Sequence, residues 1–274
     1  MKNSLRFFKI SLSGLLITNL LMSMPSFAAG TFDKISASKS ITMGVRDSSG
    51  ALSYTLGDGK YTGYHVEICK RIISDLEKTL KTPIQIKYQA VTSQNRIPLV
   101  QNGTVDIECG STTNNATRQK DVSFAVTTYV EEVRIAVKAN SGITSIAQLN
   151  GKKVATTTGT TSVQILRKNE RATGVNFDEV FGKDHADSFL LLESDRADAF
   201  VMDGSILAGN IAMAKNPKDF RIVGEVLSVE PDLETFPQIV ARKSDQLHFI
   251  VVQTASYPEV GDLPTNHQIK LING

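Results

Sequence analysis

Residues 106–124 read Asp-Ile-Glu-Cys-Gly-Ser-Thr-Thr-Asn-Asn-Ala-Thr-Arg-Gln-Lys-Asp-Val-Ser-Phe. Val105 to Cys109 is short, mostly apolar and flanked by Gly103 and Gly110, the pattern of a buried strand. Ser111, Thr112 and Thr113 then place hydroxyls and backbone N–H groups at the strand's carboxyl end, where ligands sit in open α/β sheets. Five residues on, Arg118 adds a planar guanidinium that can grip a carboxylate through two parallel hydrogen bonds. Alone, this is an ordinary strand, a Ser/Thr turn and a surface arginine. It gains meaning because a distant stretch repeats the chemistry.

Working outward, strands and helices alternate, which predicts α/β architecture with parallel sheets. Strands are expected over 41–46, 84–88, 105–109 and 129–137, with helices from 64 to about 81 and over 96–102. After Ala139-Asn-Ser-Gly142 the rhythm restarts. Strands over 151–156, 175–181, 199–202 and 220–223 interleave with helices over 162–171, 188–194 and 205–215. Two similar α/β halves joined near 125–140 imply a cleft between them, a preferred place for small ligands.

The second half supplies Thr156-Thr-Thr-Gly-Thr-Thr-Ser162, a hydroxyl-rich turn at a helix start. Its free N–H groups suit an anion, although Thr and Ser are also ordinary helix caps. Opposite Arg118 the turn forms a plausible carboxylate clamp. Asp203 ends an apolar strand, where it either caps the following helix or accepts from a bound ammonium. Clamp and acid together describe recognition of an α-amino acid. Arg46 and Arg96 stand at strand-to-helix junctions on the same edge as Ser111 to Thr113, and His185 begins a helix in the other half. A lone arginine is more often a solvated surface residue, and a lone loop histidine is more often structural. Cys69, on the apolar face of a helix, and Cys109 leave both a bridge and two buried thiols open.

Residues 1–28 have the anatomy of a secretory signal: Lys2, Arg6 and Lys9, an apolar run to Met24, then Ser26-Phe27-Ala28. The run is short and interrupted by Ser11, Ser13, Thr18 and Asn19, which argues against a membrane anchor. No cysteine follows the cleavage site to carry a lipid, so a freely soluble exported protein is expected. Without this segment the chain loses three Lys/Arg and no Asp/Glu, and its formal charge passes from +2 to −1. Near-neutrality without basic runs gives no support for nucleic-acid or membrane-surface binding.

The quoted segments, with Gly63-Tyr-His-Val-Glu-Ile68, Thr92-Ser-Gln-Asn-Arg96, Lys183-Asp-His185 and Met202-Asp203, resemble the periplasmic amino-acid-binding proteins of ABC transporters. The glutamate/aspartate-binding branch is the nearest in pattern, over about residues 33–229. The resemblance implies a type II periplasmic-binding-protein fold, two α/β lobes joined by crossover strands that close on the ligand. It also implies site roles. Arg118, Thr113 and Thr161, with Thr160 beside them, would hold the α-carboxylate. Asp203 and Ser111 would take the ammonium, and Arg46, Ser93, Arg96 and His185 the side-chain carboxylate. No catalytic residue, metal or cofactor is implied. The expected partners are L-glutamate or L-aspartate and an inner-membrane ABC permease, with the protein a periplasmic monomer.

The expected organisation is a signal segment over 1–28, lobe I over 29–132, lobe II over 133–229, and an atypical return segment over 230–274 that rejoins lobe I. In that last segment Arg242-Lys-Ser-Asp245 faintly matches the family's turn, 249–256 reads as a strand, and no closing helix is visible. A frameshift or altered terminus would explain the departure and would weaken lobe I. The rival function is an exported enzyme of the same fold, resembling a cyclohexadienyl or arogenate dehydratase, which requires a pocket acid placed for proton transfer. A ligand-sensing domain is a third reading, disfavoured because no signalling module is attached.

Overall fold

The computed structural model describes residues 30–227 and the backbone of 237–242. In chain order come α1 (Thr31–Ser38), β1 (Ser40–Val45), β2 (Ser48–Ser49), β3 (Ser53–Gly57), β4 (Lys60–Thr62), α2 (Tyr64–Leu80) and β5 (Gln85–Ala90). Then follow α3 (Arg96–Gln101), β6 (Ile107–Thr113), β7 (Val122–Phe124), β8 (Val133–Lys138), β9 (Lys153–Thr157) and α4 (Thr161–Thr173). The rest are β10 (Asp178–Gly182), α5 (His185–Glu193), β11 (Ala199–Asp203), α6 (Gly204–Ala212), β12 (Phe220–Ile222) and β13 (Pro237–Arg242).

Two five-stranded sheets organise the chain, in the orders β5-β1-β6-β13-β7 and β10-β9-β11-β8-β12. Each is the centre of one lobe, and a small β2-β3-β4 sheet is attached to the first. In the second sheet, successive residues of β11 go to opposite cores. Ala199 and Val201 pack with Ile135, Val154 and Leu166, whereas Phe200 and Met202 pack with Phe189, Leu192 and Ile206. A strand covered on both faces reads as a continuous apolar run, which is why this one was visible in sequence. In the first lobe α2 buries His65, Val66, Cys69, Ile72 and Ile73 along one stripe. It stops at Lys81, whose left-handed backbone (φ 51°) returns an N–H to the Glu77 carbonyl.

The alternating two-lobed α/β plan is as read, but several details differ. The sheets are mixed, since β8 runs antiparallel to β11 and β12, and β13 antiparallel to β6 and β7. β6 does not end at Cys109. It continues through Ser111–Thr113 because β13 supplies ladder partners as far as Thr113. The strand expected over 129–137 enters the sheet only from Val133, and the stretch before it links the lobes outside any ladder, with Val130 64% exposed. The strand expected over 175–181 begins at Asp178, Val175 and Phe177 being buried anchors of the preceding loop. The helix expected over 188–194 starts three residues earlier, at His185. β13 brings the return segment into the first sheet. The strand expected over 249–256 and the segment over 1–28 lie outside the described residues.

Cys69 of α2 and Cys109 of β6 are fully buried and disulfide-bonded, 40 residues apart in sequence. The bridge staples the helix to the central strand that carries the site. Such a loop closure is worth about 2–4 kcal/mol. Replacing both cysteines by serine is therefore expected to lower the urea midpoint, and reductant should bring the wild type to the same value. Identical midpoints for the oxidised wild type and the double variant would show that the bridge carries no stability.

Candidate functional site

The carboxyl ends of β1 and β6 point toward the other lobe, and the site is assembled where they meet the α4, α5 and α6 N-termini. Ser93, Arg96, Ser111, Thr113, Thr160, Thr161, His185, Met202 and Asp203 line the space between the lobes. Eight of these nine residues are polar, which suits a ligand bearing several charges.

At one end, Arg118 Nη1 donates to the Thr113 carbonyl (2.8 Å) and Nη2 to the Gly159 carbonyl across the cleft (3.1 Å). Thr113 Oγ1 meets Thr161 Oγ1 at 3.4 Å, so hydroxyls of both lobes converge there. Thr160 Oγ1 donates to the Thr157 carbonyl (2.8 Å) and fixes the turn that starts α4. Asp203 is 4% exposed and makes no capping bond to α6. Glu131, from the link between lobes, accepts from the Ser205 N–H instead (3.2 Å). Glu131 thus serves the helix end, and Asp203 lines the cleft. Burial, and next the Glu131 charge, push the Asp203 carboxyl up to about 7. Its protein partner there is Ser162, whose Oγ donates to Oδ1 at 3.3 Å.

The opposite end belongs to arginines. Arg46 is fully buried, and the two hydrogens of its Nη2 are shared among Ser93 Oγ (3.0 Å), the Asp184 carboxylate and His185 Nε2 (3.2 Å). Nη1 has one long contact, 3.4 Å to Ser111 Oγ. Because guanidinium only donates, His185 Nε2 must accept, which assigns the hydrogen to Nδ1 and to a bond with Thr157 Oγ1 (3.1 Å). Burial, then the Arg46 charge, hold this imidazole well below its ordinary value, so it stays neutral. Both ring nitrogens are engaged by protein. Arg46 and His185 thus brace this end of the pocket, and Arg46 does not line that space.

Arg96 is different. It is 2% exposed, lines the space, and has no protein partner for Nε or Nη1 among the described residues. Burial, then Arg118 and Arg46, pull its ionisation well below the usual guanidinium range. A buried cation with unpaired donors is costly until an anion meets it. Beneath it lies Glu108, a residue sequence reading passed over although an acid inside an apolar strand signals a buried charge. Its Oε2 accepts from Thr112 Oγ1 (2.8 Å), and burial raises its carboxyl against the opposing pull of Arg96. Gly110 leaves the necessary room, since a Cβ there would stand 2.1 Å from Glu108 Oε1 and 2.8 Å from Arg46 Cγ. Glu131 carries no comparable sequence signal, being one of two adjacent acids in a link.

Among the described residues no cluster of His, Cys, Asp and Glu could hold a metal, and no helix is long and apolar enough to cross a membrane. The site can bind and orient a zwitterion carrying an extra carboxylate.

Comparison with known proteins agrees with this geometry. The pattern of the bacterial extracellular solute-binding proteins, family 3, matches residues 41–253, further along the chain than the resemblance read from sequence. The L-glutamate/L-aspartate-binding protein of Pseudomonas aeruginosa is 43% identical over 226 residues, 80% of this chain and 74% of that one. The glutamate/aspartate import solute-binding protein of Escherichia coli K12 is 44% identical over 204 residues, 74% of this chain and 68% of that one. A periplasmic binding protein from Brucella ovis with glutathione bound shares the fold at a TM-score of 0.69 and 22% identity, over 79% of this chain and 66% of that one. The fold is that of the type II periplasmic binding proteins, and the chain belongs to the bacterial extracellular solute-binding proteins, family 3.

Proposed function

We infer that this protein captures an acidic amino acid, glutamate or aspartate, between its lobes and passes it to an inner-membrane ABC permease, acting as a monomer in the periplasm. One observation carries the reading: Arg96, buried at one end of an inter-lobe pocket with two donors lacking protein partners among the described residues. An uncharged side chain would leave that cation unpaired, whereas a side-chain carboxylate neutralises it. The names of the relatives that are 43–44% identical point the same way.

In this reading Arg118, Thr113, Thr160 and Thr161 receive the α-carboxylate, and Asp203 with Ser111 receives the ammonium. Arg96 and Ser93 take the side-chain carboxylate, with Arg46 and His185 bracing them from behind. A carboxyl titrating near 7, like Asp203, is also what proton transfer would use. The same value is what an ammonium counter-ion in a closed pocket acquires before its partner arrives, and the relatives are named as binding proteins.

A thermal-shift panel of the twenty amino acids tests the reading. At a hundredfold excess over Kd, ligand adds about 2.7 kcal/mol, a rise of several degrees in Tm. Glutamate and aspartate are expected to give it, and glutamine, asparagine and arginine to give none. The largest shift from a neutral or basic amino acid would overturn the assignment.

A further inference from the structure

Asp184 is outside the pocket lining, yet every hydrogen bond its carboxylate makes among the described residues crosses from one lobe to the other. It is the N-cap residue of α5 but makes no side-chain capping bond there. Its Oδ1 pairs with Arg46, which is fully buried and has no other ion-pair partner among the described residues. Its Oδ2 accepts from Ser48 Oγ at 3.0 Å. Ser48 in turn accepts from the Ala186 N–H at Oγ (3.0 Å) and from Asn210 Nδ2 at its carbonyl (3.1 Å). All these bonds join the β1–β3 region of the first lobe to α5 and α6 of the second.

The backbones beneath this cluster fit closely. Gly50, at φ +56°, lies against α6 so tightly that a Cβ on it would stand 2.4 Å from the Ser205 carbonyl oxygen. A Cβ on Gly209 would stand 2.4 Å from Gly50 Cα. Such close approach is possible only between glycines. It brings Ser48 to the start of α5 without any ligand atom taking part.

We propose that Asp184, with Ser48 and Arg46, forms a clasp that holds the lobes closed and couples closure to the bracing of His185 and Ser93, making Asp184 a positioning residue for ligand capture. When the lobes part, Asp184 loses both partners and Arg46 loses its counter-ion. When they meet, the same contacts lock the arginine end of the pocket. The clasp does not touch the ligand, so it sets how tightly any ligand is held and not which one. This rests on the reading of the cleft as an amino-acid trap.

The test uses Asp184→Asn, which keeps shape and removes charge, and Ser48→Ala, which removes the second strand of the clasp. Glutamate and aspartate are titrated calorimetrically. Small-angle scattering is recorded without ligand, with glutamate, and with a mixture of the other nineteen amino acids. Both variants are expected to bind glutamate and aspartate ten- to hundredfold more weakly, by the same factor for each. Their unliganded Tm should match the wild type, because the clasp is absent when the lobes are apart. The contraction seen in the wild type should need correspondingly more ligand. Unchanged affinity, an altered glutamate-to-aspartate ratio, or a lowered unliganded Tm would each overturn the clasp. If the wild type contracts only with the mixture, the acidic-ligand reading fails, and the clasp is judged on contraction with the mixture. If nothing contracts it, the clasp fails as well.

Discussion

Replacing Arg96 by methionine is expected to weaken glutamate binding by two to three orders of magnitude while leaving the unliganded protein at least as stable. Taking away one partner of a buried charge pair costs roughly 3–5 kcal/mol, and each 1.4 kcal/mol is tenfold in Kd. The unliganded protein behaves differently because Arg96 Nε and Nη1 are buried without protein partners among the described residues. Methionine fills much of the same volume with no charge to desolvate. It also relieves the mutual repulsion of Arg96 with Arg118 and Arg46. The two effects have opposite signs, which distinguishes this arginine from a structural one. Calorimetry and thermal melts of the variant measure both. A fall in unliganded Tm with affinity retained would place Arg96 in the scaffold and not at the ligand.

The second large effect is on pH. With the lobes closed and no ligand between them, Asp203 sits at about 7, chiefly through burial and secondly through Glu131. A bound ammonium favours the carboxylate, so its value in the complex lies lower. Ligand therefore binds the deprotonated form better. Affinity should be flat above pH 8, then fall as pH drops through 7, approaching tenfold per unit until the bound group also protonates. His185 contributes nothing in this window, since it is neutral throughout. Glu108, also raised by burial, repels incoming carboxylates when ionised, so its protonation works in the opposite direction. Asp203→Asn separates the two: it should remove the acid-side loss and itself cost roughly 3–5 kcal/mol of binding. A wild-type affinity constant from pH 8 to 5.5 would contradict the role given to Asp203.

Much of this was legible in the sequence for identifiable reasons. Doubly covered strands such as Ala199–Asp203 announce themselves as apolar runs, and α2 as an apolar stripe. The arginines and hydroxyls stood out because they cluster at strand-to-helix junctions, where α/β folds bind ligands. What stayed hidden depends on partners far away along the chain. Whether Ser111 to Thr113 belong to a strand or a turn is decided by β13, more than 120 residues later. The direction of β8 is invisible because β-branched composition is the same in parallel and antiparallel sheets. Arg46, read as a ligand contact, has Asp184, Ser93 and His185 around its Nη2, neighbours that sequence cannot show. Asp184 carried no sequence signal of its own, since only the closed lobes bring Ser48 against it.

The central claim is that this cleft discriminates by charge at its arginine end. Calorimetric titration of the protein with glutamate, aspartate and glutamine under identical conditions tests it most directly. Glutamine has nearly the shape of glutamate but leaves the Arg96 guanidinium without its counter-ion, a difference of roughly 3–5 kcal/mol. The expected result is binding of both acids at least a hundredfold tighter than the amide. Glutamine bound as tightly as glutamate would contradict it.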